Sequence, residues 1–133
     1  KEGGGWHNVT WKTGHNNKNC KYGGSVKNVD CTSGNANGPW EQFSIHIGND
    51  SKVSLKSTSK NKYCSDEGNI YCTKESIGPW EKFTPEILSQ DESSMKIRLK
   101  GGQHGKYCSD RGDYIDCQID RKGDWEEHTF KLA

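Results

Sequence analysis

The six cysteines carry the most reactive side chains of this chain, and their spacing limits the chemistry they can do. They fall into three pairs along the sequence: Cys20 and Cys31, Cys64 and Cys72, and Cys108 and Cys117. An even number of regularly placed cysteines predicts disulfides, which form in an oxidising compartment. Zinc binding is the competing interpretation, but the short C-x2-C spacing of common zinc sites is absent. If all six cysteines form bridges, no thiol is left to act as a nucleophile.

The other chemistry-bearing residues form no recognisable catalytic or metal-binding pattern. The five histidines lack a metal spacing such as H-x3-H, and the chain has no Gly-rich phosphate loop and no nucleophile elbow. Asp110 and Asp113 are paired carboxylates, but nothing in the sequence places them around a cleft. His128 stands where the repeat described below has phenylalanine, so we expect it to pack in the core or at its rim. The sequence therefore predicts no enzyme, no metal and no cofactor.

The composition predicts one small, polar domain. The chain has 133 residues, of which 29% are hydrophobic, so we expect one domain with a small core. Its 19 basic and 18 acidic residues give a net charge of +1, without the concentrated positive field typical of nucleic-acid binding. No apolar run approaches the roughly 20 residues that cross a bilayer. The chain begins at Lys1 without a signal peptide or Met, as we expect of a processed mature protein.

An internal repeat is the main organising feature of the sequence. The first cysteines of the three pairs are each 44 residues apart. An apolar residue lies nine positions before each of them, and another lies two positions further back: Trp11 and Val9, Leu55 and Val53, Leu99 and Ile97. This alternation has the period of a half-buried strand.

A second pattern follows the second cysteine of each pair. The chain reaches Gly38-Pro39-Trp40-Glu41, Gly78-Pro79-Trp80-Glu81 and Gly123-Asp124-Trp125-Glu126. Apolar alternation then resumes, and it runs through Phe43, Ile45 and Ile47, through Phe83, Pro85 and Ile87, and through His128, Phe130 and Leu132. Each unit is thus predicted to hold four strands, with turns at sites such as Glu67-Gly68-Asn69 and Gly112-Asp113.

Three units of four strands predict an all-β fold, the β-trefoil, with twelve strands in a barrel capped by three hairpins. Closure removes the sheet edges that favour aggregation. A three-bladed propeller has the same strand count, but propellers start at about four blades. We predict one trefoil domain over residues 1–133, with repeats at about 4–48, 49–92 and 93–133.

The intervals between the paired cysteines fit hairpins. Seven residues separate Cys64 from Cys72, and eight separate Cys108 from Cys117, which suits tips of three and two residues. Facing positions of two antiparallel strands are close enough for a disulfide. We therefore predict one bridge within each pair, although six cysteines permit fifteen pairings.

Two of the units resemble the fascin-like trefoil family. The segment Gly105-Lys106-Tyr107-Cys108 is followed by Gly123-Asp124-Trp125-Glu126, and Asn61-Lys62-Tyr63-Cys64 by Gly78-Pro79-Trp80-Glu81-Lys82-Phe83. They are similar to the G-K-Y-L and G-x-W-E-x-F strands of that family, with cysteine in place of leucine. The first unit matches only in Gly38-Pro39-Trp40-Glu41-Gln42-Phe43. The resemblance implies the trefoil fold. Trefoils of that family also occur as accessory modules of secreted glycoside hydrolases. Actin bundling, which uses several linked intracellular trefoils, is not expected of one oxidised trefoil.

The candidate ligand-binding residues are aromatic and polar side chains around the second and third hairpins. A glycan site combines an aromatic face with groups that hydrogen-bond to sugar hydroxyls. The candidates are Tyr63, Asp66, Asn69, Tyr71, Tyr107, Asp110, Arg111, Asp113 and Tyr114. The alternative is that these hairpins are solvated turns without a ligand. Trp40, Trp80 and Trp125 are expected in the core, because tryptophan supplies scarce apolar area, and Trp6 is expected to be exposed.

These features predict a secreted, non-catalytic, carbohydrate-binding trefoil whose partners are glycans or glycoconjugates. The sequons at Asn8 and Asn49 are compatible with an extracellular location. The alternative is a protein-binding effector with a cell-surface partner. It would act as an integrin ligand through Arg111-Gly112-Asp113 at a hairpin tip, or as a protease inhibitor.

Overall fold

Twelve β-strands make up almost all of the regular structure. The computed structural model describes residues 5–15, 17–23, 28–34 and 38–132, so Lys1, the predicted start of the first unit at Gly4 and the predicted end of the third at Ala133 lie outside it. The strands are β1 (Gly5–Thr13), β2 (Asn19–Lys21), β3 (Asp30–Ser33), β4 (Phe43–Ile47), β5 (Val53–Ser57), β6 (Lys62–Glu67), β7 (Asn69–Lys74), β8 (Thr84–Gln90), β9 (Ser94–Lys100), β10 (Tyr107–Asp110), β11 (Ile115–Ile119) and β12 (Glu127–Leu132). Short 3-10 helices occupy Pro39–Glu41, Pro79–Glu81 and Asp124–Glu126.

Six of these strands close a barrel and the other six form its cap. Antiparallel pairing runs from β5 to β4, β1, β12, β9 and β8. A bridge between Val53 and Phe83 joins β5 to β8 and completes the circle. The hairpins β2–β3, β6–β7 and β10–β11 contact one another through backbone hydrogen bonds, such as Cys117 N–H to Gly68 C=O at 2.8 Å. The predicted β-trefoil is thus confirmed. Within the described residues, no helix is long and apolar enough to cross a membrane.

The alternating residues fill the barrel as the sequence predicts. Val9, Val53, Ile97 and their neighbours two positions on are fully buried. Trp11 lies at the centre, edge-to-face with Phe43 at 5.1 Å between ring centroids and 5.2 Å from Phe130. Aromatic pairs of this kind add to the burial of apolar area. A few large rings therefore supply much of the core of this polar chain.

Two residues predicted to point inward are exposed instead. Ile87 is 49% exposed because, beyond the Val53–Phe83 bridge, β8 pairs with β9 alone and extends past the barrel. Leu132 is 37% exposed at the end of β12. The period-2 pattern predicts which residues share a face, but it does not show where another layer stops covering that face.

The three predicted disulfides are present, and all six cysteines are fully buried in the core. Each lies at a β-bulge, where one residue of a strand faces two of its partner. In the second hairpin, Tyr63 faces Lys74 and Ser65 faces Tyr71, so Cys64 lies opposite both Cys72 and Thr73. The same shift occurs at Cys20 and Cys108. The disulfides therefore act as core packing as well as cross-links.

His128 is a buried polar residue of the core, as its place in the repeat predicts. The Trp11 indole N–H donates to Nδ1 of His128 at 3.0 Å. The opposite ring nitrogen, Nε2, lies 2.8 Å from the Cys108 carbonyl, so it carries the proton and donates. Burial lowers the pKa of His128, although the Cys108 carbonyl acts in the opposite direction. The imidazole is thus held neutral with both nitrogens satisfied.

Removing the second disulfide tests its contribution to stability. Replacing Cys64 and Cys72 by alanine opens a loop that the bridge closes over a sequence separation of 8 residues. The chain-entropy model predicts a loss of about 2.5 kcal/mol in the free energy of unfolding. Urea denaturation followed by tryptophan fluorescence measures this, and reduction of all three bridges in the parent protein should cost more. A double variant as stable as the parent would contradict the prediction.

His128 should make the protein less stable in mild acid. Because the folded-state pKa lies below the ordinary value of about 6.5, the unfolded chain takes up the proton first as the pH falls. The free energy of unfolding should therefore decrease below about pH 6.5, by up to about 1.4 kcal/mol per pH unit, until the folded protein also binds the proton. His128→Phe, which copies Phe43 and Phe83, should flatten this part of the profile. The free energy of unfolding is measured by urea denaturation between about pH 7.5 and 5. If it depends on pH in His128→Phe as it does in the parent, the acid sensitivity arises from another group.

Candidate functional site

The predicted ligand-binding residues do not form one cluster. Tyr63 lies on the outer wall of the barrel, where β6 pairs with β5. The candidates from the hairpins lie in the cap. Asp66 and Asp110 are fully buried there, and their carboxylates bind groups of the protein itself.

Asp66 ties the second hairpin to the first loop of the third unit. Its Oδ1 accepts the Gly68 backbone N–H at 3.0 Å, and its Oδ2 accepts the Gln103 N–H at 3.0 Å. The approach is close enough that a Cβ on Gly101 would lie 2.0 Å from Oδ2, so only glycine fits there. Burial raises the pKa of Asp66, while the two N–H groups act in the opposite direction. This carboxylate is therefore part of the fold and closed to a ligand.

Asp110 ties the third hairpin to the first unit by hydrogen bonds of the same kind. Its Oδ1 accepts the Gly112 N–H at 2.8 Å, and its Oδ2 accepts the Thr13 hydroxyl. His15 Nδ1 lies 3.8 Å from Oδ1. In the first hairpin, the Tyr22 carbonyl replaces the carboxylate and accepts the Ser59 hydroxyl at 2.6 Å. Each hairpin is thus hydrogen-bonded to the unit that follows it around the barrel, and we call these contacts the clasps.

The remaining hairpin candidates differ in their exposure. Asn69 is half-buried and pairs with Asp116 across β7 and β11. Tyr71 is half-buried, and Asp113 and Tyr114 are exposed.

The Arg-Gly-Asp tip is folded against the first hairpin. The Gly112 carbonyl accepts the Cys31 N–H at 3.4 Å, and the Asp113 carbonyl accepts the Asn28 side-chain N–H at 2.8 Å. The Arg111 guanidinium carbon lies 5.5 Å from the centre of the Trp125 ring. These contacts favour a place in the cap over a projecting recognition loop.

Tyr63 opens onto a groove on the outside of the barrel, which we call the Tyr63 groove. Its volume is about 370 Å³, and it is lined by His7, Ser44, His46, Ser54, Lys56, Asn61, Tyr63 and Ile77. A second depression of about 290 Å³ shares three of these residues and continues towards Asn49 and Asp50. Small-ligand sites commonly measure about 300–1,000 Å³. The groove therefore has the size and the mixed aromatic and polar lining of a sugar site.

Strand register explains why these side chains meet. Ser44 pairs with Lys56, and Lys56 pairs with Tyr63, so the three form one row across β4, β5 and β6. His7 continues the row, because its Nδ1 lies 3.0 Å from the Ser44 hydroxyl. The Lys56 ammonium lies 5.0 Å from the centre of the Tyr63 ring.

The equivalent row across β8, β9 and β10 is filled. There Thr84 pairs with Lys100 and Lys100 with Tyr107, and Glu86 on β8 takes the place that His46 has on β4. The Tyr107 hydroxyl donates to Glu86 at 2.6 Å, and this bond lowers the pKa of Glu86. Tyr107 is buried in consequence. By contrast, the Tyr63 hydroxyl has no hydrogen-bond partner among the described residues, and Tyr63 lines the groove.

The three repeated tryptophans are not in the core, so that prediction is wrong. Trp40 is 48% exposed, Trp80 is 42% exposed and Trp125 is half-buried. The 3-10 helix turns the following glutamate inward instead, where Glu81 and Glu126 each accept the backbone N–H three residues before them, at 2.7 and 2.6 Å. Trp6, expected to be exposed, is partly buried against the core.

The third tryptophan borders a larger depression, which we call the Trp125 cleft. Its volume is about 530 Å³, and its lining includes Arg111, Arg121, Asp124 and Glu126. The His15 ring stacks on Trp125 with 3.8 Å between centroids and an interplanar angle of 29°. The cleft thus combines an oriented aromatic ring with two guanidinium groups.

No group of three or more His, Cys, Asp or Glu side chains in the described ranges could hold a metal ion. The sequence did not predict His7, Ser44, His46 and Lys56 as groove residues. For Ser44, His46 and Lys56 the signal was present as the outward half of the strand alternation. His7 has the parity of the buried Val9 and Trp11, and it faces outward because β1 has a bulge between Trp6 and Val9.

Comparisons with known proteins identify the fold. No family model matches the chain, and no curated protein sequence matches it, so membership of the fascin-like family stays a prediction. The solved structure of SeviL bound to asialo-GM1 saccharide is similar, with a TM-score of 0.74 and 13% identity over 96% of this chain and 99% of that one. The designed threefold-symmetric protein ThreeFoil has a TM-score of 0.75 and 15% identity over 94% and 98%. At these identities the likeness shows the β-trefoil fold alone.

Substitution of Asp66 tests whether this residue is structural. Asp66→Ala leaves the Gly68 and Gln103 N–H groups without their acceptor in a buried place, so the free energy of unfolding should fall by about 3 kcal/mol. Urea denaturation measures the loss. Asp113→Ala, at an exposed residue of the next hairpin, is the control and should change stability by less than about 0.5 kcal/mol. Equal stability of the two variants would refute the structural role.

Proposed function

We propose that the protein is a non-catalytic carbohydrate-binding trefoil that acts outside the cell and binds a neutral sugar in the Tyr63 groove. The observation that carries this proposal is the difference between two equivalent tyrosines. The Tyr107 hydroxyl donates to Glu86, whereas the Tyr63 hydroxyl has no hydrogen-bond partner among the described residues and Tyr63 lines an open groove.

The chemistry of the groove suits a sugar ring. The Tyr63 ring and Ile77 offer apolar contact for sugar C–H groups, and Ser44, His46 and Lys56 offer donors and acceptors for hydroxyls. The Lys56 ammonium restrains one side of the tyrosine, which reduces the entropy lost when a ligand orders it.

Two further facts support the proposal. Three buried disulfides agree with an oxidising, extracellular environment. A solved protein of the same fold is described as bound to a saccharide, which shows that this architecture can support such a site. Because Glu86 occupies the Tyr107 hydroxyl, and because the first unit has Asn19 where the other two have tyrosine, we expect one main groove site.

The proposal is tested by a glycan array with the oxidised protein, followed by titration of the best neutral glycan. Reduction of the disulfides should abolish binding. A blank array at high, multivalent protein concentration would overturn the proposal.

Three variants locate the site. Tyr63→Ala should weaken binding about tenfold or more, since aromatic contacts and a hydroxyl are lost together. His46→Glu copies Glu86 of the equivalent row and should close the groove by capturing the Tyr63 hydroxyl, with a similar loss and an unchanged fold. Tyr114→Ala, at an exposed tyrosine of the third hairpin, is the matched control and should bind normally. Binding that is lost in Tyr114→Ala and retained in Tyr63→Ala would refute the groove as the site.

A further inference from the structure

We propose that the Trp125 cleft is a separate binding site, selective for saccharides that carry a carboxylate or sulfate group. The inference does not rest on the Tyr63 groove, because the two sites share no lining residue.

The cations of the cleft come from two different segments. Arg111 follows β10, and Arg121 precedes the third 3-10 helix; their guanidinium carbons lie 5.5 and 5.8 Å from the centre of the Trp125 ring. Arg111 has no carboxylate partner among the described residues. A guanidinium presents a planar fork of donors that matches carboxylate and sulfate oxygens, and two of them on one cleft favour an anionic ligand.

Of the two guanidinium groups, Arg121 is paired with an acidic residue of the cleft, and Arg111 is the one left for a ligand. Glu126 is fully buried, and its Oε1 accepts the Gly123 N–H at 2.6 Å and lies 3.7 Å from Arg121 Nε. Its Oε2 is buried and has no hydrogen-bond partner within the described part of the chain. Asp124 is exposed and lines the same cleft. We expect a monoanionic sugar to be preferred over a densely charged one, because Asp124 opposes additional negative charge.

Trp125 supplies the part of the site that recognises a ring. Its indole is held by the stacked His15 ring, and it is half-buried at the wall of the cleft. A rigid aromatic side chain costs little entropy when it contacts the C–H face of a sugar. The arginines would bind the acidic group while the indole contacts the ring that carries it.

The second unit provides a comparison with the opposite charge. Three residues after the first cysteine of its hairpin, the third unit has Arg111 and the second has Glu67. The Glu67 carboxylate lies 3.6 Å from the Lys74 ammonium. The second unit, which contains Trp80, therefore has a paired carboxylate at the position that Arg111 occupies in the third. Selectivity for an anion is therefore expected at Trp125 and not at Trp80.

Tryptophan side-chain NMR tests the proposal on the intact, oxidised protein. The five tryptophans give five indole N–H signals in a ¹⁵N-correlation spectrum, and Trp125→Phe and Trp80→Phe identify two of them. Titration with sialyllactose, with a monosulfated disaccharide and with neutral lactose should shift the Trp125 signal for one or both acidic sugars. Lactose should leave this signal in place, and the Trp80 signal should not move with the acidic sugars.

Charge variants separate recognition from folding. Arg111→Gln together with Arg121→Gln should weaken the acidic-sugar titration about tenfold or more and leave binding of a neutral glycan in the Tyr63 groove unchanged. Lys131→Gln, an exposed cation on β12, is the control and should have no effect. An unmoved Trp125 signal, an equal response to lactose, or an equal response to inorganic sulfate alone would overturn the proposal. Loss of neutral-glycan binding in Tyr63→Ala with an intact Trp125 response would show that the two sites stand independently.

Discussion

The clasps between hairpins and loops are the interactions on which the rest of the structure depends. Asp66 and Asp110 each accept donors from their own hairpin and from the next unit, and all four described donors lie in the interior or at its edge. In surroundings of low polarity such bonds are strong when complete and costly when broken. A chain with 29% hydrophobic residues cannot hold its units together by apolar contact alone. The clasps set each hairpin against the barrel, and this in turn fixes the walls of both candidate sites.

The repeat made the fold predictable from the sequence. The sequence shows spacings of 44 residues, period-2 alternation and paired cysteines. These patterns reflect the pairing of strands that are close in sequence, and this pairing determines the strands, the hairpins and the bridges. The tryptophans show where this reasoning fails. In each 3-10 helix, either the tryptophan or the glutamate can point inward, and hydrophobicity favours the tryptophan. The fold places the glutamate inside because its carboxylate satisfies a backbone N–H that would otherwise be buried without a partner.

The candidate sites were less predictable for a related reason. Of the nine candidates, Tyr63 and Arg111 line the two depressions, while Asp66 and Asp110 serve the fold. Polar residues at a hairpin have the same sequence signature whether they face solvent, a ligand or a neighbouring unit. The groove also depends on residues far apart in the chain, such as His7, Ser44 and Lys56, whose meeting is set by register across three strands. One sequence cannot reveal that register before the topology is known.

The pairing of β1 with β12 has a consequence for how the chain reaches this fold. It joins residues far apart in sequence, for example Val9 with Leu132, so the barrel cannot close until β12 has been made. Contacts of this range slow folding. The three disulfides, by contrast, join residues 8 to 11 positions apart, and each can form inside its own hairpin. Oxidation can thus restrict the three hairpins early, and the remaining search is for the arrangement of three prepared pieces around one axis.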